Sequence, residues 1–216
     1  MNIQAQAGRV NQKQRTRTAI VAAARGLIGA GTEVTMPAVA RAALVSEATA
    51  YRYFPDLVSL LREAMDGTWP SPAEALAPVE GCDDPVARIA FATEHLLRHV
   101  QRYQSAVRPM ISATITKPGA AAMRPGLRFG LIDHALAPLE ATLGQQRTKA
   151  LRQLKQDLAV VMSAEALFTL TDLAGLSPDD AIASAVRTAR TITTAAVAAS
   201  TTAAVAAGNT AAVAAS

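Results

Sequence analysis

Between Thr35 and Phe54 the chain sets two helix starts within twenty residues, TMPAVARAALVSEATAYRYF. Thr35 can accept a hydrogen bond from an early backbone N–H, and Pro37 in the first turn gives up only a donor that would be free there anyway. Val39, Ala40 and Ala43 then recur at three- and four-residue steps, a narrow stripe of small side chains that lets a second helix come close. After Leu44 and Val45, Ser46 is a second N-cap, opening a helix from Glu47 to about Tyr53. On this reading Glu47, Thr49, Ala50 and Arg52 face outward, and Ala48, Tyr51 and Phe54 lie nearer the inner or flanking surfaces. Two short helices at a tight turn suit the major groove of DNA, where Thr can touch a base or a thymine methyl and Arg can grip guanine or phosphate.

Charge placement points the same way. Residues 1–54 carry seven basic residues (Arg9, Lys13, Arg15, Arg17, Arg25, Arg41, Arg52) against Glu33 and Glu47, a net of +5. The remaining 14 basic and 15 acidic residues sum to −1, so the whole surplus of +4 lies beside the two-helix segment. Phosphate neutralisation needs it there. A solvated basic face is the plainer alternative, and the adjoining two-helix pattern weighs against it.

From about residue 15 to 65 the sequence resembles the TetR/AcrR family of bacterial transcriptional regulators. RTRTAIVAAARGLIGAG is similar to that family's first helix, VARAALVSEATAYRYF to its helix-turn-helix, and PDLVSLLREAM to the start of its fourth helix. The Tyr-x-x-Phe ending, with Leu60 and Leu61 downstream, carries much of the likeness. The resemblance implies an all-α fold, with an N-terminal three-helix DNA-binding domain followed by a larger helical ligand-binding and dimerisation domain. It makes Ser46 to Tyr51 the recognition helix and sets Thr35 and Tyr51 on phosphate. The DNA-contacting set is then Arg15, Arg17, Thr35, Met36 and Pro37, with Ser46, Glu47, Ala48, Thr49, Tyr51 and Arg52. Three positions depart from the pattern. Leu44 replaces the usual turn glycine, which would cost about 1–2 kcal/mol if that slot is left-handed. Ala48 replaces a small glycine harmlessly, and Leu57 replaces a lysine, which removes a phosphate contact.

The rest of the chain reads as helix, with no convincing strand alternation. Ile20, Ala23, Ala24, Leu27 and Ile28 form one stripe, ended by Gly29 and Gly31, and Leu57, Leu60, Leu61, Ala64 and Met65 form another. Ser71-Pro72-Ala73-Glu74, Asp84-Pro85 and Ser177-Pro178-Asp179-Asp180 open further helices. Gly144 and Gly175 sit where long helices should stop, so helices are expected near 85–107, 124–143, 147–174 and 178–200. The domains expected are a flexible basic arm at 1–12, a helix-turn-helix domain at 13–58, a ligand-binding and dimerisation domain at 59–200, and an Ala/Thr/Val repeat tail at 201–216. The tail continues tandem copies of an eight-residue unit, TAAVAAST, and is expected to extend the last helix and fray near Gly208. Ala and Thr are too weakly lipophilic, and Gly208-Asn209 too disruptive, to favour a membrane span.

Half the residues are apolar but much of that is alanine, and aromatics are 4%. So thin a core favours burial against a second copy, and the resemblance implies a homodimer built on the last two helices. Leu151, Leu154, Leu158 and Val161, with Phe168, are the expected seam; the alternative is that this stripe faces its own core. The resemblance also implies a small apolar or amphipathic inducer held among the middle helices. Candidates to line that space are Trp69, Leu96, Val100, Tyr103, Met110, Met123, Phe129, His134 and Phe168, with Arg128 or Glu165 as polar anchors, although plain core is the simpler reading for each. His95 and His99 have the spacing of a metal grip, but nearby arginines and the lack of a third ligand argue against a metal. No cofactor is expected. The glycine-rich phosphate loop, the Gly-x-Ser-x-Gly elbow and HExxH are all missing, so an enzyme is not expected. A polar basic leader without an apolar stretch and a single cysteine, Cys82, fit the cytoplasm. These readings together point to a regulator that binds a near-palindromic double-stranded DNA operator as a homodimer and is released by a small molecule. The alternative is a helical binding module that keeps the fold without reading DNA sequence.

Overall fold

The computed structural model describes residues 3–116, 126–142 and 148–214. Every element among them is helical, and the chain divides into two compact units, Met1–Trp69 with Arg102–Pro125, and Pro70–Gln101 with Gly126–Ser216.

The first unit holds α1 (Ile3–Gly29), α2 (Met36–Ala42), α3 (Glu47–Tyr53), α4 (Leu57–Met65) and α7 (Gln104–Thr116). Its core draws one stripe from each: Ile20, Ala24 and Ile28 from α1, Val39 and Ala40 from α2, Ala50 from α3, Leu60, Leu61 and Ala64 from α4, and Ala106 and Met110 from α7. The domain boundary expected after residue 58 therefore falls inside α4, whose apolar face is part of this core. Residues 3–12, expected as an arm, are the opening turns of α1; with no proline among them, Ala- and Gln-rich chain prolongs a helix already nucleated by packing. Two arginines of α1 fasten it to α4. The Arg17 guanidinium forms a two-pronged pair with Glu63, with Nε 2.9 Å from Oε1, and stands 4.4 Å over the Phe54 ring. Arg25 donates to the carbonyls of Ala64, Glu63 and Asp66, capping the end of α4 where carbonyls lack helical partners.

The second unit holds α5 (Pro72–Leu76) with a 3-10 turn (Ala77–Val79), α6 (Pro85–Arg102, whose last residue belongs to the first unit), α8 (Leu127–Thr142), α9 (Thr148–Val161), α10 (Ala164–Phe168) and α11 (Pro178–Ala214). Ser71 and Glu74 form the expected capping box, with Ser71 N–H donating to Glu74 Oε2 at 2.8 Å and Glu74 N–H to Ser71 Oγ at 3.3 Å. The chain breaks helices where the sequence suggested continuity. The expected 85–107 helix divides at Tyr103, whose carbonyl accepts from Ala106 and Val107 N–H and starts α7, a helix that continues through Pro109. The expected 147–174 helix divides at Ser163, which takes extended backbone and accepts from Ala166 N–H at 3.0 Å. A single π turn, Thr169–Leu173, follows and ends at Gly175, with φ of 68°. α11 runs past Gly208 to Ala214, further than the fraying expected of the repeat. Gly144 lies outside the described residues. Among the described residues no helix is long and apolar enough to cross a membrane.

Leu151, Leu154 and Leu158, expected at a dimer seam, are buried within the single chain, and Val161 is half-buried. Their stripe faces α11 and α8 instead of solvent, because the other side of α9 carries Arg152, Gln153, Gln156 and Asp157. Lys155 spans α8 and α9, 2.9 Å from Asp133 and 3.1 Å from Glu140. Burial works against its ammonium, but hydrogen bonds to the two carboxylates together outweigh that cost and raise its pKa.

The least expected core residue is Arg88, 2% exposed. Its Nη2 takes a proton to the His134 carbonyl at 2.9 Å, its Nε to Ala135 O at 3.0 Å and its Nη1 to Val79 O at 2.7 Å. Four residues after His134 stands Pro138, inside α8 and without an N–H, so the His134 carbonyl has no helical donor and Arg88 supplies one. Arg88→Met should lower stability by about 3 kcal/mol in urea unfolding, since buried carbonyls lose their donors, and Arg88→Lys should restore only part. Lys155 gives a pH signature: with its folded pKa raised, its contribution is whole below the ordinary 10.5 and fades as pH rises through the folded value. The stability gap between wild type and Lys155→Met should therefore narrow in alkali, as pH rises through the folded Lys155 value, as read by unfolding midpoints across pH.

Candidate DNA interface

Thr35 takes extended backbone and caps α2, its Oγ1 accepting from Ala38 N–H at 3.3 Å, with Pro37 in the first turn. α2 stops in a Schellman motif: Leu44 N–H donates to Arg41 O at 3.1 Å and Val45 N–H to Ala40 O at 3.0 Å. This closure needs a left-handed residue, and Leu44 supplies it with φ of 56°, the one positive φ outside glycine among the described residues. α1 ends in the same motif, with Gly31 at φ 67°. Ser46 then caps α3, accepting from Thr49 N–H at 3.2 Å while its own hydroxyl donates to Thr49 Oγ1 at 2.9 Å.

The phase of α3 differs from the sequence expectation. Ala50 is wholly buried and Phe54 nearly so, and these two, four residues apart, anchor the inner face. Ala48 and Tyr51 consequently turn outward, Tyr51 to 47% exposure, beside exposed Ser46, Glu47 and Arg52, while Thr49 is half-buried. Of the other expected contacts, Arg15 is exposed and Thr35 and Pro37 are partly so. Met36 is core, 3% exposed beside Val34 and Val39, and Arg17 is engaged by Glu63 and Phe54. Arg41, in the last turn of α2, is exposed beside the turn and was missing from the expected set. Its signal was legible, since a basic residue three positions before a left-handed turn lies near the next helix start. Leu57, where the family pattern has lysine, packs against the core at the start of α4.

The expected inducer contacts belong partly to each unit. Trp69, Tyr103 and Met110 pack with the first unit's core. Leu96, Val100, Arg128, Phe129, His134, Glu165 and Phe168 belong to the second unit. There Leu96 and Val100 are buried and Phe129 is 53% exposed. Met123 lies outside the described residues. The two polar anchors meet each other, Arg128 Nη1 lying 3.4 Å from Glu165 Oε2. His134 Nε2 lies 3.0 Å from Glu80 Oε2, and this hydrogen bond holds the Glu80 carboxyl below its ordinary value. His95 stacks on Phe91 with its Nε2 buried, and among the described residues no cluster of three or more His, Cys, Asp or Glu forms that could hold a metal.

Residues 20–64 match the family model for bacterial regulatory proteins of the tetR family. That span runs from the Ile20 stripe of α1 to the end of the α4 core face. The fold is similar to a solved TetR transcriptional regulator from Rhodococcus sp. RHA1, with a TM-score of 0.50 and 22% identity over 83% of this chain and 96% of that one. No curated protein matches the chain. The capped α2-turn-α3, with its exposed basic and polar face, lies inside the segment that matches the tetR family of bacterial regulatory proteins.

Proposed function

We propose that the protein is a ligand-responsive repressor that binds a near-palindromic operator as a homodimer and leaves it when a small apolar or amphipathic inducer binds. The observation that carries the reading is the outward face of α3: Ser46, Glu47, Ala48, Tyr51 and Arg52 project from a helix whose opposite side is locked by Ala50 and Phe54. Exposed Arg15 on α1 and exposed Arg41 at the end of α2 can neutralise phosphates, which fixes register without reading sequence. A two-fold pair of such heads reads half-sites about one DNA turn, roughly 34–36 Å, apart. The dimer seam falls on side chains other than Leu151, Leu154 and Leu158, which the single chain buries for itself. An inducer shifts occupancy only by its differential affinity for the two states, typically about 1–3 kcal/mol.

Selection of genomic fragments on the purified protein at near-physiological salt should enrich one inverted repeat. Binding that is equal on all fragments and collapses steeply with salt would instead favour a helical binding module without sequence reading. Arg52→Ala should weaken binding to the enriched site and, if Arg52 grips phosphate in both half-sites, lower the salt slope by about 2, with little change in the thermal midpoint. Arg17→Ala should do the reverse, lowering the midpoint of the head, because the same residue type there holds α1 to α4. Equal effects of both substitutions on binding and midpoint would overturn this division of labour.

A further inference from the structure

Leu44 is expensive where it stands. A left-handed backbone crowds its Cβ, and glycine, which α1 uses at the equivalent place in its own terminal motif, would relieve the crowding. The side chain does not offset this by packing, since Leu44 is 93% exposed, the most exposed of the large apolar residues among those described. The chain therefore carries a strained, water-facing leucine two residues before the cap of α3, between exposed Arg41 and exposed Ser46 and Glu47. Strain of this kind persists where surrounding structure fixes it, here through the two hydrogen bonds of the Schellman closure.

We propose that Leu44 is a sequence-reading residue whose partner is a thymine methyl in the major groove, an inference that rests on the DNA-binding reading above. Three features select this partner. Recognition helices present their N-terminal end to base edges, which puts the residues just before Ser46 at the groove. The major-groove edges of the four bases offer one apolar substituent, the thymine C5 methyl, set among hydrogen-bond donors and acceptors that leucine cannot meet. Arg41 and Arg52, exposed on either side in sequence, supply the positive charge that holds an otherwise neutral leucine against a polyanion. Glycine at this position would remove the reach along with the strain, so Leu44 gives the head a thymine preference that a glycine turn lacks.

The test uses the full chain and the DNA site it enriches from genomic fragments, with each thymine in turn replaced by deoxyuridine, which deletes the methyl and keeps the base pair. For wild type one position per half-site should weaken binding by about fourfold, the worth of one buried methyl. Leu44→Gly should melt at a higher temperature, bind the unmodified site about sixteenfold more weakly, about fourfold at each of the two half-sites, and ignore the uracil at that position. Leu44→Ala retains a Cβ and the strain but loses the reach, so it too should ignore the uracil, without the gain in melting temperature. Equal uracil sensitivity in wild type and both variants would overturn the proposal, as would weaker binding by the variants with no dependence on any methyl, the signature of a sugar–phosphate contact. A wild type that enriches no site would overturn the DNA reading and this inference with it; one that enriches a site yet is indifferent to every methyl overturns the inference alone.

Discussion

Short helices leave many backbone groups without helical partners, and this chain, poor in aromatics and rich in alanine, has little apolar surface with which to offset any left bare. Its architecture follows from how those ends are closed. Thr35, Ser46, Asp56, Ser71 and Ser163 each accept a backbone N–H at a helix start, and Arg25 covers the carbonyls at the end of α4. Arg88 extends the same logic into the interior, where Pro138 has freed a carbonyl in the middle of α8. A buried cation is costly in general, yet here it donates to carbonyls of two segments, Val79 and the His134–Ala135 turn, and so ties the end of the 3-10 turn to α8 through α6. Removing the arginine would strand acceptors on both sides.

The same economy shapes the reading head. α3 has seven residues, too few to be a stable helix in isolation, so its direction is set by what it packs on. Ala50 and Phe54 insert into the core shared by α1, α2 and α4, and Arg17 covers the Phe54 ring while pairing with Glu63. One arginine thus stabilises the junction from which the outward face is presented, and a different one, Arg52, is left on that face. Charge counting alone treats the two as equals.

Much of this was legible from the residues. The caps, the α1 and α4 stripes and the helix-turn-helix follow from hydroxyl, proline and apolar spacing, and the left-handed turn at Leu44 followed from the family pattern. The misreadings share one cause, which is that sequence spacing gives the period of a helix but not its phase or its interruptions. α3 is rotated so that Ala50, not Ala48, points inward, because alanine is equally at home on either face and the large residues Tyr51, Tyr53 and Phe54 alone do not decide which goes in. The stripe of Leu151, Leu154 and Leu158 is periodic whether it meets the same chain or another. Ser163 breaks a long apolar run because its hydroxyl finds Ala166 N–H, a local competition that periodicity does not weigh. Arg17 and Met36 were placed on DNA by position in the motif, whereas the fold uses one as a tie and the other as core.

What an effector can do to such a head is limited by how it is built. With Ala50 and Phe54 in a common core and α1 fastened to α4 at both Glu63 and the α4 carboxyl end, α3 cannot tilt by itself without vacating buried volume and unpairing Arg17. Deforming the recognition helix would cost more than the few kcal/mol that a small ligand's preference between two states supplies. The cheaper response is to leave α1 to α4 intact and change the position of the whole head. On the proposed reading of a ligand-responsive homodimer, regulation would act on the spacing of two rigid heads, not on the chemistry of the face they present, so the base preferences set by α3 and its turn should be the same in every state that still binds DNA.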